Sequence, residues 1–515
     1  MPFKQHLCIF YERADERWSL CAPLIQDRIH TGFKWLYVAD EHNFQDVRPE
    51  IESRLHSPRP AGEIVSADSL SFLDTPFSVD AIIGQLRAQT KTALQEGFSG
   101  LFLLVEMTWS LRTSFGAAYL SEYEGRLHEL LSSTSMRAAC LYNRRVFPET
   151  MILDALRTHP GVHTADGEHR NPHFLPPTAL LNGDVRTQLQ YWLKAISPSL
   201  ADAWYPGSEA PQPDYGALPT PHPARTTFKA LIYNLESPVP LMASNAGQQR
   251  WKIHCLGELR VYRQDGAPVR WNTVHGATLK TKTLFAYLLH CGQRGATVEE
   301  LADLLWPEAN STEQGLNRLY HTVHCLRMAL SPELTSSRDS PFVLNDDRCY
   351  YLALPGGTWN DIPVFEQLCY KAERLLRENN DEESLTCHLA AENLYGGVLL
   401  ADIPVQYTEN VDKDWCWSRR YWLQEMYLKM LTYMAGTFRR RNDIPRALGY
   451  CEKVLRIDPC SERAHQEMMR IFHVSGRRDA LDRQYRLCFQ ALERYGGRAP
   501  SPATQALYQS LTATL

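Results

Sequence analysis

"EELADLLWPEANSTEQGLNRLYHTVHCLRMAL", residues 299–330, reads as two short helices joined by a turn. In the second, Leu316, Leu319, Val323, Leu326 and Leu330 follow a 3-4-3-4 spacing and share one helix face. Gln314, Arg318, His321 and Cys325 fall opposite, with Asn317, His324 and Arg327 on the flanks. In the first, "TVEELADLLW" (297–306) sets Thr297 three residues before Glu300, the spacing of a capping box. Pro307 ends that helix, and Ser311 or Thr312 caps the next.

The flanks extend this pattern. A helix is expected over 280–291, just upstream. "WKIHCLGELRVYRQDGAPVRW" (251–271) alternates polar and apolar residues and turns at Asp265-Gly266, a hairpin signature. "FVLNDDRCYYLAL" (342–354) reads as a second hairpin, turning at Asn345-Asp346-Asp347. Strands, three helices and a terminal hairpin predict a winged helix-turn-helix of the OmpR type over 251–356. Its second helix would enter a major groove, with Arg318 donating to guanine edges and Asn317 pairing with adenine, beside His321 and His324. Arg327, Lys280 and Lys282 would hold phosphates, and a wing carrying Arg348 would lie over the backbone or minor groove. A lone polar helix face is most simply a solvated one. Helix order, capping and the two hairpins together favour the groove reading.

One count opposes it. Residues 251–354 hold 11 Lys+Arg against 11 Asp+Glu. Phosphate binding draws on an excess of cations, so a single copy is expected to bind DNA weakly and in a salt-sensitive way. Dimers, tandem sites or a polymerase partner would make up the difference.

Upstream, "LCIFYE" (7–12), "KWLYVAD" (34–40), "EIVSAD" (63–68), "LFLLVEM" (101–107) and "RAACLYN" (137–143) are short apolar runs. Between them lie amphipathic stretches such as 78–97 and 116–132. This alternation predicts a parallel sheet covered by helices over 1–177. Such sheets bind ligands beyond the carboxyl ends of their strands. "SPSLADAWYPGSEAPQPDYGALPTPHPAR" (197–225) is Pro-rich and lacks periodicity, so 178–250 is read as a linker, with "TTFKALIYNLE" (226–236) a small element docked nearby. Residues 357–515 are helical by period. "DIPRALGYCEKVLRIDP" (443–459) and "RDALDRQYRLCFQALER" (478–494) align with an offset of 33, near a tetratricopeptide unit, so a stack of helical pairs is expected.

A chain of 515 residues is too long for one core. Its net charge of -5 argues against coating nucleic acid by bulk charge. Thirteen Cys without a C-x-x-C pair suit a reducing compartment. The amino terminus has an acidic patch where a signal peptide needs an apolar region, and no stretch approaches a membrane span, so a soluble cytoplasmic protein with no membrane contact is expected.

Two resemblances follow from quoted stretches. "LGELRVY", "LFAYLLH", "EELADLLWPEA", "NRLYHTVHCLRMAL", "ALGYCEKVLRIDP" and "GGRAPSPATQALYQSL" make residues 251–511 resemble the Streptomyces antibiotic regulatory protein family, a winged helix followed by a bacterial transcriptional activator domain. The resemblance implies a regulator that binds promoter DNA, with RNA polymerase and a second protomer as partners. The recognition helix departs from the family in having His321, His324 and Cys325 where Arg is usual. "HLCIFYE", "KWLYVAD", "GFSGLFLLVEMTWSL", "YEGRLHELL" and "CLYNRRVFPETMILDALRTHP" make residues 5–163 resemble the MEDS sensory domain of methanogens, methylotrophs and dichloromethane-responsive regulators. That resemblance implies a RecA/KaiC-like fold that senses a small-molecule effector, a one-carbon or hydrocarbon derivative. His6, Tyr11, Glu106, Trp109, Arg144 and His159 lie in the matching motifs and are the candidate ligand-binding residues.

Such ancestry raises an enzyme alternative, but no G-x-x-x-x-G-K-[ST] loop is present. After the first apolar run comes "YERADERWSL", whose carboxylates would repel phosphate. No catalytic constellation is legible, and neither enzyme activity nor a cofactor is expected. His159, His163, His169 and His173 in "HPGVHTADGEHRNPH" have metal-ligand residue types, but a solvated polar loop is the simpler reading, and no metal is expected. Glu106 ends an apolar run, as a buried hydrogen-bond switch or as the partner of Arg144 or another Arg. The expected whole is a ligand-responsive transcription regulator. The alternative is a protein-binding scaffold of the same architecture that does not touch DNA.

Overall fold

The structure is a computed structural model. It describes residues 3–40, 44–55, 62–74, 77–177, 191–192, 250–272, 278–308, 312–334, 336–346, 349–355, 357–410 and 413–514. The expected linker and its docked element therefore lie, apart from 191, 192 and 250, outside the described residues.

The amino-terminal apolar runs become strands β1 (His6–Tyr11), β2 (Phe33–Ala39), β3 (Gly62–Ser66), β4 (Gly100–Glu106) and β5 (Met136–Asn143). A hairpin of β6 (Gly161–Thr164) and β7 (Gly167–Arg170) completes a sheet ordered β3-β2-β4-β5-β1-β6-β7. All pairings are parallel except β6 with β7. Every residue of β4 is buried, as a strand covered on both faces requires. One face packs Ile9, Tyr37 and Leu104 under α1 (Ala14–His30) and α2 (Phe44–Glu52). The other packs Cys8, Leu103 and Cys140 under α3 (Val79–Gln95), α4 (Ser114–Ser133) and α5 (Glu149–Thr158). The β6–β7 hairpin corrects the expectation of a solvated polar loop at 159–173. His163 is buried there, and its Nε2 lies 3.2 Å from the Leu20 carbonyl.

The middle segment begins with β8 (Lys252–His254) and β9 (Arg260–Tyr262), an antiparallel pair. Their connection runs through Cys255–Leu259, so Asp265-Gly266 is a second turn rather than the hairpin's own. Helices α6 (Thr278–Cys291), α7 (Val298–Leu305) and α8 (Thr312–Leu330) follow. The capping box at Thr297 and Glu300 is formed, and Ser311 lies outside the described residues. A three-stranded antiparallel sheet, β10 (Ala296–Thr297), β12 (Cys349–Leu352) and β11 (Val343–Asp346) in that order, packs beside them. Gly295 enters β10 at φ +66, where a Cβ would lie 2.6 Å from the Tyr350 carbonyl, so only glycine lets the hairpin pass so close. A short strand β13 (Trp359–Asn360) pairs parallel with β8.

The remainder is mainly helical: α9 (Asp361–Arg377), α10 (Asp381–Leu394), α11 (Trp417–Arg440), α12 (Ile444–Ile457), α13 (Glu462–Val474), α14 (Arg478–Ala491) and α15 (Pro502–Ala513), with a one-turn helix at Val405–Thr408 and a short antiparallel pair, Glu409–Asn410 with Lys413–Asp414, between α10 and α11. Three of its turns share one device. Asn379, Asn442 and Gly476 have positive φ, and the amide of the residue after each donates to the carbonyl of Leu375, Phe438 and Phe472 respectively. Ala447 and Leu481, from the repeat seen in sequence, are fully buried between neighbouring helices.

These segments touch. Lys252 on β8 pairs with Glu122 on α4 at 2.7 Å, and Arg250 pairs with Asp154 on α5 at 2.8 Å. Arg145, just past β5, reaches Glu378 and Glu383 at 2.5 and 2.8 Å. One apolar core continues from the α3–α4 side of the sheet into the helical region.

Candidate functional site

Helix α8 buries Leu319, Val323, Leu326 and Leu330, as its spacing predicts, and half-buries Leu316. Glu313, Asn317, Arg318, Tyr320, His321 and His324 are exposed. Cys325 is the correction: it is buried, because the carboxyl-terminal half of α8 is covered by following segments on more than one side. Glu313, Gln314, Asn317, Arg318 and His321 line a shallow open recess. Among the described residues no hydrogen bond or ion pair engages the Asn317 or Arg318 side chain. His321 Nδ1 lies 3.7 Å from Cys325 Sγ, and His324 Nδ1 lies 2.7 Å from the Ser337 hydroxyl.

The cations expected to hold phosphates are placed differently. Lys282 is paired with Asp402. Lys280 donates to the Leu305 carbonyl at 2.6 Å and lies over the Trp306 ring, and partial burial lowers its pKa. Arg327 donates through Nε and an Nη to the Val343 carbonyl at 3.0 and 2.8 Å, fastening α8 to β11. Arg348 lies outside the described residues. Sequence spacing gave no sign of these acceptors, since each comes from a distant segment or an end-of-helix carbonyl. Tyr320, 48% exposed on the same face, was not singled out by sequence reasoning.

The six amino-terminal candidates do not form one site. Tyr11 ends β1 and Glu106 ends β4, at the carboxyl edge of the sheet. Glu106 is buried and receives the Arg17 guanidinium, the Tyr37 hydroxyl at 2.7 Å and the Asp40 amide at 2.8 Å. Burial pushes its carboxyl up, while those three donors hold the ionised form. Its Arg partner is thus Arg17 and not Arg144, which sits on the surface 3.5 Å from Glu12. Trp109 is enclosed by Phe72, Phe77 and Tyr123.

His6 and His159 meet in a separate buried group. His6 Nε2 and His159 Nε2 lie 3.2 and 3.4 Å from Glu124 Oε2. Cys140 Sγ lies 3.5 Å from the same oxygen and 3.8 Å from His6 Nε2. The Tyr142 hydroxyl donates to the other oxygen of Glu124, and His128 Nδ1 faces His6 Nδ1 at 3.4 Å. Burial lowers both His6 and His159 to about 3 and raises Glu124 and Cys140. Glu124, His128 and Cys140 were missed in the sequence. The available signal was Glu124 and His128 four apart in "YEGRLHELL", on one face of a helix.

At the β1–α1 junction the Glu12 amide donates to Glu16 at 2.9 Å, and Asp15 and Glu16 occupy the first helical turn. The helix start that would receive a phosphate is already served by carboxylates.

Two family models match the chain. The MEthanogen/methylotroph, DcmR Sensory domain matches residues 5–160, and the Bacterial transcriptional activator domain matches residues 360–512. The chain is therefore a fusion of a MEDS domain with a transcriptional activator domain. The transcriptional repressor DcmR of Methylorubrum extorquens is 24% identical over 163 residues, which cover 31% of this chain and 59% of the repressor. The Mycobacterium tuberculosis protein EmbR, solved in complex with a low-affinity phosphopeptide, is 20% identical with a TM-score of 0.41, over 52% of this chain and 65% of that one. The chain thus spans less than two thirds of either relative. No described helix is long and apolar enough to cross a membrane.

Proposed function

We propose that this chain is a ligand-responsive transcription regulator, in which residues 251–356 form a winged helix-turn-helix that reads promoter DNA through α8. Arg318 carries the reading. It is exposed on α8 beside Asn317, with no hydrogen bond or ion pair to another described residue. An exposed Arg and Asn one residue apart, on a helix braced by two others and a hairpin, suit bidentate contacts to base edges. The MEDS domain, read as a RecA/KaiC relative that has lost its phosphate loop, would sense a small organic effector, with Tyr11 and Glu106 at the strand ends nearest to it. The effector must bind two arrangements of the chain with different affinity to shift one to the other. The helical domain would contact RNA polymerase and a second protomer. Nothing in the site calls for catalysis.

A second reading has a specific observation behind it. Lys280, Lys282 and Arg327 are engaged within the chain, and residues 251–354 carry no excess of cations. Both facts suit a scaffold that docks on another protein. Nuclease protection of the upstream region of the chain's own gene, at low ionic strength, decides between the readings. Protection that Arg318→Ala weakens supports the regulator. Absence of protection, with and without candidate one-carbon metabolites, favours the scaffold.

A further inference from the structure

We propose that His6, Glu124, Cys140 and His159 together hold one divalent transition-metal ion of the zinc class, within the MEDS domain and independently of any contact with DNA. All four residues are buried, and one donor atom from each lies within 4.8 Å of every other. They come from four elements: the start of β1, the middle of α4, the middle of β5 and the residue after α5.

The edge lengths fit an ion. Zinc binds imidazole nitrogen and carboxylate oxygen at about 2.0–2.1 Å and thiolate sulfur at about 2.3 Å, so a tetrahedron of such ligands has N···O edges of about 3.4 Å and S···N or S···O edges of about 3.6 Å. The corresponding distances are 3.2 and 3.4 Å from Glu124 to the two histidines, and 3.5 and 3.8 Å from Cys140 to Glu124 and His6.

Proton placement points the same way. His159 Nδ1 lies 2.7 Å from the Ala155 carbonyl, an acceptor, so the ring proton sits on Nδ1. Nε2 then presents a lone pair toward a carboxylate oxygen, and it has no hydrogen-bond partner. Two acceptors facing each other in a dry interior repel unless a cation or a shared proton lies between them. His6 also turns Nε2 to Glu124, and its Nδ1 faces His128 Nδ1, a nitrogen that can take the other ring proton. Histidine ligands commonly hand their other ring proton to an acceptor in this way, and ligating carboxylates are themselves hydrogen-bonded, as Glu124 is by Tyr142.

Charge closes the case. Binding releases the Cys140 thiol proton, so one thiolate and one carboxylate offset a divalent ion and leave the buried centre neutral. A thiolate with two imidazoles selects zinc-like ions over magnesium or calcium. With four protein ligands and no water access, the centre is closed and organises the fold of the domain.

The full chain, purified without a metal-affinity tag and stripped with chelator, is titrated with Co²⁺. The expected result is one equivalent bound, with the visible d–d bands of tetrahedral cobalt and a near-ultraviolet thiolate charge-transfer band, both bleached by Zn²⁺. Cys140→Ser removes the charge-transfer band, whereas Cys8→Ser, a neighbouring buried thiol outside the donor set, retains it. Tyr142→Phe weakens cobalt binding about tenfold or more. A wild-type chain that takes up no stoichiometric cobalt overturns the proposal, whatever the variants do. So does a charge-transfer band that survives Cys140→Ser.

Discussion

Lys252 Nζ lies 2.7 Å from Glu122 Oε1, with the two side chains only 1% and 5% exposed. The pair crosses from β8 to α4 and so joins the middle segment to the amino-terminal domain. Burial pushes the Lys252 ammonium down, and Glu122 opposes that push. The ammonium also lies 3.8 Å from the centre of the Tyr119 ring.

A buried ion pair adds little over an apolar pair of the same shape, but removing one partner strands the other charge. Glu122→Ala should therefore cost about 3–5 kcal/mol in denaturant unfolding. The double variant Glu122→Leu, Lys252→Met should recover most of that loss. If the double variant is as unstable as the sum of its parts, the pair is not the joint described here.

Arg318 and Arg327 sit on one helix and should behave oppositely. Arg318→Ala removes an exposed guanidinium and should weaken promoter binding by about 1–3 kcal/mol in a gel-shift titration, with an unchanged melting temperature. Arg327→Ala removes two hydrogen bonds to the Val343 carbonyl and should lower the melting temperature by loosening β11 from α8. Equal loss of DNA binding in both, at equal stability, would remove the distinction.

Strands β1, β2, β4 and β5 were legible because strands buried on both faces read as apolar runs, and Leu101–Val105 is such a run; β3, at the sheet edge, buries only Ile64. The α8 face was legible from Leu319, Val323, Leu326 and Leu330, which keep a helical period. The β6–β7 hairpin was not, because the positions that β6 buries are Gly161 and His163, so its alternation has no apolar signature, and β7 is not buried at any position. Cys325 broke the period because contacts from beyond the helix cover it. The meeting of His6, Glu124, Cys140 and His159 was beyond reach: it depends on β1 lying between β5 and β6, an order that no local pattern encodes.

His388 on α10 gives a pH dependence whose sign can be worked out. Burial lowers its pKa to about 4, against the hydrogen bond to the Ser384 carbonyl. The unfolded side chain titrates near 6.5, so between about pH 6.5 and 4 the unfolded chain binds a proton that the folded chain refuses. The contribution is present above that window and is lost as pH falls through it, by up to about 1.4 kcal/mol per pH unit. His254, lowered to about 4 by burial, acts in the same direction. Denaturant unfolding at a series of pH values should show this slope, and His388→Gln should make it shallower. An unaltered slope in that variant would show that His388 does not titrate with unfolding.

Arg145 offers the test of how the two matched domains communicate. It follows β5 and bridges Glu378 at the end of α9 to Glu383 in the first turn of α10, where Asn143 also donates to Glu383 at 3.0 Å. Lys371 answers from α9, donating to the Arg144 carbonyl at 3.1 Å and pairing with Glu149 at 3.0 Å. Glu383 and its acidic neighbours Asp381 and Glu382 occupy an electropositive helix start, so a cation arriving there meets carboxylates already held in place. Arg145→Glu puts like charges against one another at this junction and should release it. Amide hydrogen exchange across 381–394 is expected to rise in the variant, with exchange in α12 to α14 unchanged. Under the regulator reading the same variant should bind promoter DNA with an affinity that no longer responds to any effector found for the wild type. Protection of 381–394 equal to wild type would mean that the buried contacts beneath, among them the Cys387 thiol donating to the Val146 carbonyl, hold the domains together without Arg145.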